Sequence, residues 1–495
     1  MHLSKSLYTR GLQCVKSLWL KKHKSEVLSK PDSAQKAIFA TGDKVGELAC
    51  TLFPKGKTIP FEDTTFDEKI ALTSEYIKKG TRNIYEATFS YQQILIMVDI
   101  LHINKDGSVE INEVKSSTEV KDIYLHDASI QFYVLNGLGF EVKKVNIIHI
   151  NNKYTRGKEL EVEKLFSVVD VTEQIRELQS NIPNYLNHFK TSLDNKENEP
   201  NIDIGKHCFN PYGCDCYEYC WSKQREIPEY SVFNISRLGI DKKFALYQDG
   251  ILQTTQIQEC SSYSLSQQIQ IQSDKEQKSI INKEAIKEFL DTLSYPLYHL
   301  DFETFQQAIP QWEGISPYSQ IPFQYSLHVE HTDGVLEHKE FLAKEGDDPR
   351  YELAKRLVRD IPSYVTVLAY NMGFEKGVIR RLVETYPELH VKLMAIHDNI
   401  KDLMTPFQNK HYYKPSMQGS YSIKKVLPAL VPEMEKAYKN LELVHHGGEA
   451  MQTYANLANM DEKMREEYKK ALLEYCKLDT LAMVKVLEKL KESLR

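Results

Sequence analysis

Residues 94–101, "ILIMVDIL", are apolar on both faces of any strand they form, apart from one acid, Asp99. A strand that is greasy on both sides must be covered on both sides, so it belongs inside a layered α/β domain and not on an open surface. A lone ionised carboxylate there is costly unless a cation meets it. The chain continues "HINKDGSVEINEVKSS", which reads as the turn and return strand of a hairpin. With "KDG" as a three-residue turn and Gly107 left-handed, Asn104 pairs with Ser108, Asp99 falls opposite Glu113, and Lys115 shares their face. A two-residue "DG" turn would shift the register by one and send Glu113 to the other face. Two facing carboxylates can hold Mg²⁺ or Mn²⁺, and a lysine beside them can orient the attacking water, a set suited to metal-assisted phosphodiester hydrolysis. The plainer account is a surface hairpin with cross-strand charges, which the apolar flanks disfavour.

A second acidic pair lies in "YHLDFETF", residues 298–305. In a strand, Asp301 and Glu303 point the same way, with Leu300 and Phe302 opposite. Two packed carboxylates repel and raise a pKa unless cations neutralise them, and two metal ions about 3.5–4 Å apart would do so while clamping a phosphate. Further acids complete the set. In "AYNMGFEK", Asn371 follows a buried strand and Glu375 falls in the first turn of a helix, where the helix dipole favours an acid. In "LLEYCKLDTL", Tyr475 and Asp479 are four apart on one helical face. Taken singly, a helix-start Glu and an i,i+4 pair are commonplace; the ordered set is not. Asp402 is a further acidic neighbour, and "PFQYS" and "GSYSIKKVL" are candidates for lining a substrate groove.

Of eight cysteines, Cys208, Cys214, Cys216 and Cys220 crowd into thirteen residues, "CFNPYGCDCYEYC". Thiolates at such spacing suit soft metals, either a [4Fe–4S] cluster or Zn²⁺. Cys14 lies far upstream in "GLQCVKSLWL", and Cys50, Cys260 and Cys476 read as core residues. A disulfide framework is not expected in a cytoplasmic chain. That location is expected because the N-terminus has no continuous apolar stretch with a cleavage site and no run of about 18 apolar residues occurs anywhere.

The 495 residues suggest two to four domains, with 41% hydrophobic and 27% charged residues, ordinary for a globular protein. A net charge of −6 argues against a protein that coats nucleic acid non-specifically, yet residues 1–60 carry eleven Lys/Arg against four Asp/Glu, a local +7 that can meet phosphates. Three regions are read: 1–222, mixed α/β with helical periodicity over the first 50 residues, a helix at about 122–137 and another from Val171 to Lys190; 223–289, a linker with a small helical piece and a Gln/Ser-rich stretch that is either linker or an inserted strand pair; and 290–495, a second α/β domain closed by a long helix from about Met460.

The D…ExK pattern of Asp99, Glu113 and Lys115 resembles the PD-(D/E)xK nucleases of the RecB-like branch. The resemblance implies a downstream helical glutamine, Gln131, with Tyr133 nearby at a spacing that differs from the family's, and puts Glu47 where the family often has a histidine ligand. RecB-like nucleases with an iron–sulfur cluster place one cysteine before the core and three after it. That implies Cys14, Cys208, Cys214 and Cys220 as ligands, with Cys216 spare or in place of Cys214. The order D-x-E, N-x3-E, Y-x3-D is similar to the DnaQ-like (DEDD) 3′→5′ exonucleases on an RNase H-like fold, in the branch whose tyrosine positions the attacking water; Glu375 stands where that family has Asp.

Together the motifs look like bacterial domain-of-unknown-function proteins that join an iron–sulfur RecB-like nuclease to a DnaQ-like exonuclease. The fold expected is therefore α/β, a restriction-endonuclease-type domain with an iron–sulfur staple plus an RNase H-like domain. The expected function is a metal-dependent DNA nuclease in repair, phage defence or CRISPR-type processing, acting on single strands or duplex ends with protein partners and no membrane. The alternatives are a nucleic-acid-binding protein with one or both sites inactive, and an RNA-processing exonuclease.

Overall fold

A computed structural model describes residues 3–495, an α/β protein that divides into two units. The first runs to Glu226 and takes in Gln307–Tyr318; the second comprises Ile227–Gln306 and Ser319–Arg495. Among the described residues, no helix is long and apolar enough to cross a membrane.

The first unit is built on a seven-stranded sheet of β1 (Leu3–Ser4), β2 (Lys57–Thr58), β3 (Asn83–Tyr91), β4 (Ile94–Ile103), β5 (Val109–Lys115), β6 (Val142–Ile150) and β7 (Phe166–Asp170). The order is β2-β3-β4-β5-β6-β7, with β1 alongside β4. Strands β3, β4 and β5 run antiparallel in succession, and β5 pairs parallel with β6 across the Asp122–Gly137 helix. The β4–β5 turn is the three-residue form: the Asn104 amide donates to the Ser108 carbonyl at 2.8 Å, and Gly107 has φ 87°. The ladder runs from Ile103↔Val109 to Ile100↔Asn112, and one further step sets Asp99 opposite Glu113.

Both faces of β4 are covered. Ile94, Ile96 and Val98 join a core that includes Ala128 and Val134 of the Asp122–Gly137 helix. Ile100 joins another with Val45 and Ala49 of the Ser33–Ala49 helix. The change of face falls at Asp99, where β3 is interrupted by Glu86 in the left-handed conformation, φ 58°. The helix expected from Val171 to Lys190 is two helices, Thr172–Leu178 and Ile182–Asp194; Pro183 opens the second, where its missing amide hydrogen costs nothing.

The second unit holds a five-stranded sheet of β9 (Leu297–Phe305), β10 (Ile321–Glu330), β11 (Leu336–Leu342), β12 (Thr366–Ala369) and β13 (Ile400–Asp402) in the order β11-β10-β9-β12-β13, besides a two-stranded ribbon of β8 (Ile280–Ile281) and β14 (Tyr412–Tyr413). Strand β10 is antiparallel to both β11 and β9; β12 and β13 continue the sheet in parallel with β9. Period-two alternation sorts β9: Tyr298, Leu300 and Phe302 enter the core under the Arg350–Asp360 and Met372–Thr385 helices, and Asp301 and Glu303 take the other face. Strand β11, "LEHKEFL", lacks an apolar stripe because it is an edge strand with no fully buried residue. The final helix is Glu462–Glu492, capped by Asp461.

The Gln/Ser-rich stretch read as linker or strand pair is helical instead. Leu265–Glu276 forms a helix with a Ser264/Gln267 capping box, and it belongs to the second unit with the Ile240–Gln248 helix. Of its five buried positions, Gln267, Gln270, Ile271 and Asp274 keep the helical period, Ser273 lies off that stripe, and all but Ile271 are polar. Gln270 accepts from the Ser236 amide and donates to Tyr230 Oη, and Asp274 accepts from Thr254. A stripe satisfied by hydrogen bonds gives no hydrophobic period to read.

Gly419 locks this layer to the rest of the unit. It has φ 75°, and a β-carbon there would stand 2.1 Å from the Asn234 carbonyl oxygen. Gly419→Ala is expected to lower the urea midpoint of unfolding, with a loss of about 1–3 kcal/mol from backbone strain before the clash is counted; an unchanged midpoint would mean that this close approach does not hold the layer.

Candidate functional sites

In the first unit, β4, β5 and the Asp122–Gly137 helix bring Asp99, Glu113, Lys115 and Gln131 together. Gln131 Nε2 donates to Glu113 Oε2 at 2.7 Å, Lys115 Nζ to Glu113 Oε1 at 2.7 Å, and the Val114 amide to Asp99 Oδ2 at 2.7 Å. Sequence reasoning missed three members. Asp127 accepts from Lys115 at 2.6 Å; its i,i+4 spacing from Gln131 was the available signal. Glu86 arrives through the break in β3. Lys5 follows β1, which pairs with Ile94–Leu95 of β4, and its ammonium lies 2.8 Å from Glu113, 3.7 Å from Asp99 and 3.8 Å from Asp127.

Burial and the Glu113 charge push Asp99 up to about 6, and burial with Asp99 pushes Glu86 up to about 7. Burial also acts to raise Glu113, but Lys115 and Lys5 outweigh it and hold that carboxylate below its usual range. The acids fit a hard cation by chemistry, with Lys5 as a resident positive charge among them. Tyr133 is turned away and donates to Gln92 at 3.1 Å. Glu47 is exposed on the Ser33–Ala49 helix.

Cys14, Cys208, Cys214, Cys216 and Cys220 line one small cavity. The N-terminal segment and the cysteine stretch are also tied without them: Arg10 grips Asp215 with bonds of 2.8 and 2.7 Å, and Gln13 Nε2 donates to the carbonyls of His207 and Tyr212. Cys216, read as spare, is 1% exposed within the same group. A hydrogen bond from Cys216 draws the Cys214 thiol down to about 6. Five soft donors around one cavity fit a thiolate-bound metal or cluster. Cys50 and Cys260 lie outside it.

In the second unit, one oxygen from each of Asp301, Glu303 and Asp479 lies within 4.8 Å of the others. Glu375 stands in the first turn of the Met372–Thr385 helix and is 2% exposed, with Oε2 unpartnered. Tyr475 lies one turn before Asp479 on the same helix and acts to lower its carboxyl pKa. Sequence reasoning missed Tyr438, which donates to Asp479 Oδ1 at 2.6 Å; Lys424, within the "GSYSIKKVL" stretch read as a groove lining, sits over the rings of Tyr438 and Tyr475 at 5.2 and 5.3 Å. Cys476, read as plain core, has its sulfur 3.7 Å from Asp301 Oδ2. Asp402 caps backbone instead, accepting from the amides of Asn371 and Met404, both at 3.0 Å.

Burial raises Asp301, Glu303 and Glu375 well above their ordinary values, reinforced by Asp479 at Asp301 and by Asp301 at the other two. Lys424 opposes this at Asp301 and Glu303 without touching them. Clustered, buried, short of cations and oxygen-rich, these acids fit Mg²⁺ or Mn²⁺.

Residues 298–422 match a family model described as a domain of unknown function, DUF2779. The match includes Asp301, Glu303 and Glu375 and ends before Tyr438, Tyr475 and Asp479. No curated protein matches the chain.

The acids imply a pH dependence. Unfolded, Asp301 and Glu303 ionise near 3.8 and 4.5; folded, they hold their protons to higher pH. The native state then binds more protons than the unfolded state, so stability falls as pH rises above about 4.5. In EDTA, the unfolding temperature should drop as pH rises above about 5, and Asp301→Asn should flatten that slope and stabilise the protein at its alkaline end. Calorimetry across the range checks it; equal slopes for both proteins would show that the cluster is not strained by charge.

Proposed function

We propose that the protein is a metal-dependent nuclease with two carboxylate sites, a RecB-like one in the first unit and a DnaQ-like exonuclease site in the second. The observation that carries this reading is the convergence of Asp301, Glu303 and Asp479 within 4.8 Å, with the buried, unpartnered Glu375 oxygen beside them. The strand order β11-β10-β9-β12-β13 supports an RNase H-like fold, and the β3-β4-β5 meander with a helical crossover to β6 supports a restriction-endonuclease-type core.

Asp301, Glu303, Glu375 and Asp479 would hold Mg²⁺ or Mn²⁺ in the second unit, and Asp99 and Glu113 in the first. A divalent ion bound there supplies charge that polarises the scissile phosphate and lowers the pKa of a bound water. The protein's own groups do the rest. Tyr438 would orient Asp479, Tyr475 would position the attacking water, and Lys424 would offset negative charge. In the first unit, Gln131 orients Glu113, and Lys115 is the cation beside the water site. The cysteine group would bind a [4Fe–4S] cluster, with Zn²⁺ the alternative. One observation favours a binding protein without chemistry in the second unit: Glu375 lies outside the 4.8 Å group of acids.

Asp99→Ala and Asp301→Ala should remove different activities on 5′- and 3′-labelled DNA and RNA with Mg²⁺ or Mn²⁺, each by at least about 100-fold. Binding without cleavage in the unaltered protein would favour the inactive binder, and faster trimming of RNA would redirect the substrate. Anaerobic purification should yield a brown protein containing iron and sulfide; a colourless protein carrying zinc would overturn the cluster.

A further inference from the structure

The second unit has an open groove of about 560 Å³ that no residue of the acid site occupies. Arg237, Lys243, Tyr370, Asn371, Gln418 and Tyr421 are among the residues that line it. Two of these segments run on into the acid site. Asn371 directly precedes the helix whose first turn holds Glu375. Ile423, at the groove's edge, precedes Lys424, whose charge acts on Asp301, Glu303 and Asp479.

The groove has cations without anions. Arg237 is exposed, and its guanidinium lies 5.5 Å over the Tyr421 ring, with an aromatic face for a partner where a carboxylate would be usual. Lys243 donates to the Phe233 carbonyl at 2.7 Å, and burial pulls its ammonium below the usual value. Arg237, Asn371 and Gln418 all adopt left-handed backbone, with φ of 55°, 81° and 52°. Such conformations persist where the fold enforces them, and they gather at binding sites.

We propose that this groove holds the single-stranded end of the nucleic acid processed at the Asp301/Glu303/Asp479 site, with Arg237 and Lys243 on its phosphates and Tyr421 stacked on a base. The proposal rests on the nuclease reading of that site. An aromatic face beside cations that have no carboxylate among the lining residues matches a single strand, whose bases are free to stack; a duplex keeps its base faces hidden. The volume is within the roughly 300–1,000 Å³ of small-ligand sites, room for a nucleotide or two and not for a double helix.

The test uses the full chain carrying Asp301→Asn, with fluorescein-labelled oligo-dT, oligo-U and a blunt DNA duplex read by anisotropy across a salt series. Arg237→Ala and Tyr421→Ala are each expected to weaken single-strand binding by at least about fivefold. Arg237→Ala should also lower the salt slope by about one, and Tyr421→Phe should restore affinity. The oligo-dT and oligo-U arms separate DNA from RNA. Unchanged single-strand affinity in both Ala variants, each folded by circular dichroism, overturns the groove assignment. The nuclease reading is scored separately, by turnover of the p-nitrophenyl ester of thymidine 5′-phosphate in the unaltered protein. If that is absent while single-strand binding depends on Arg237, the groove stands and the catalytic reading falls.

Discussion

Buried carboxylates have to find positive charge, and much of this structure is arranged around that demand. An isolated ionised acid in a protein interior is unfavourable enough that it takes up a proton or recruits a cation. The first unit answers in part internally. Lys5 and Lys115 reach the same oxygen of Glu113, and Asp127 binds Lys115 in turn, so two lysines offset part of the charge of the acids gathered there. The second unit leaves the demand open. Asp301, Glu303, Glu375 and Asp479 share one region, and Lys424 acts on three of them from a distance. A site that raises its own carboxyl pKa values and offers no contact cation is prepared for one from solution, and the proposed chemistry leans on that contrast.

The elements that present these side chains are rigid, and the chain spends its irregular geometry next to them. Glu86 breaks β3 opposite Asp99, and Asn371 takes a left-handed turn between β12 and the helix carrying Glu375. Both breaks redirect backbone where a regular ladder or helix would keep the acids apart. The acids themselves sit on β4, β5, β9 and long helices, which hold their positions better than loops would.

Polar burial is a theme of the second unit. The Leu265–Glu276 helix is held by Gln270, Asp274, Tyr230 and Thr254 through hydrogen bonds, and Lys410, 1% exposed, donates to the Gly419 carbonyl at 2.8 Å. These contacts fix the segment that carries Tyr421 against the one that carries Arg237. A hydrogen-bonded interior sets orientation more strictly than an oily one, because each donor has few acceptable partners.

The hairpin was legible from residues 94–115 because a turn is a local object, but two turn lengths left its register open until the structure showed the three-residue form with Gly107 left-handed and Asp99 opposite Glu113. The shared face of Asp301 and Glu303 was legible from the period of two, and the i,i+4 placement of Tyr475 and Asp479 from the period of a helix. Lys5, Glu86 and Asp127 were not, since Lys5 reaches Glu113 across 108 residues through the pairing of β1 with β4, and no local pattern marks that approach. Tyr438 sits in turns without period, and the glutamine-lined helix hides its buried face from any hydrophobic scale. The sequence by itself determined which acids share a face, where the strands turn and which cysteines cluster, because these follow from backbone periods and short spacings. Only the tertiary structure decided which acids meet, that Lys5 joins Lys115 at one site while the other has no lysine in contact with its acids among the described residues, and where a groove adjoins it, because those depend on long-range packing that joins segments more than a hundred residues apart.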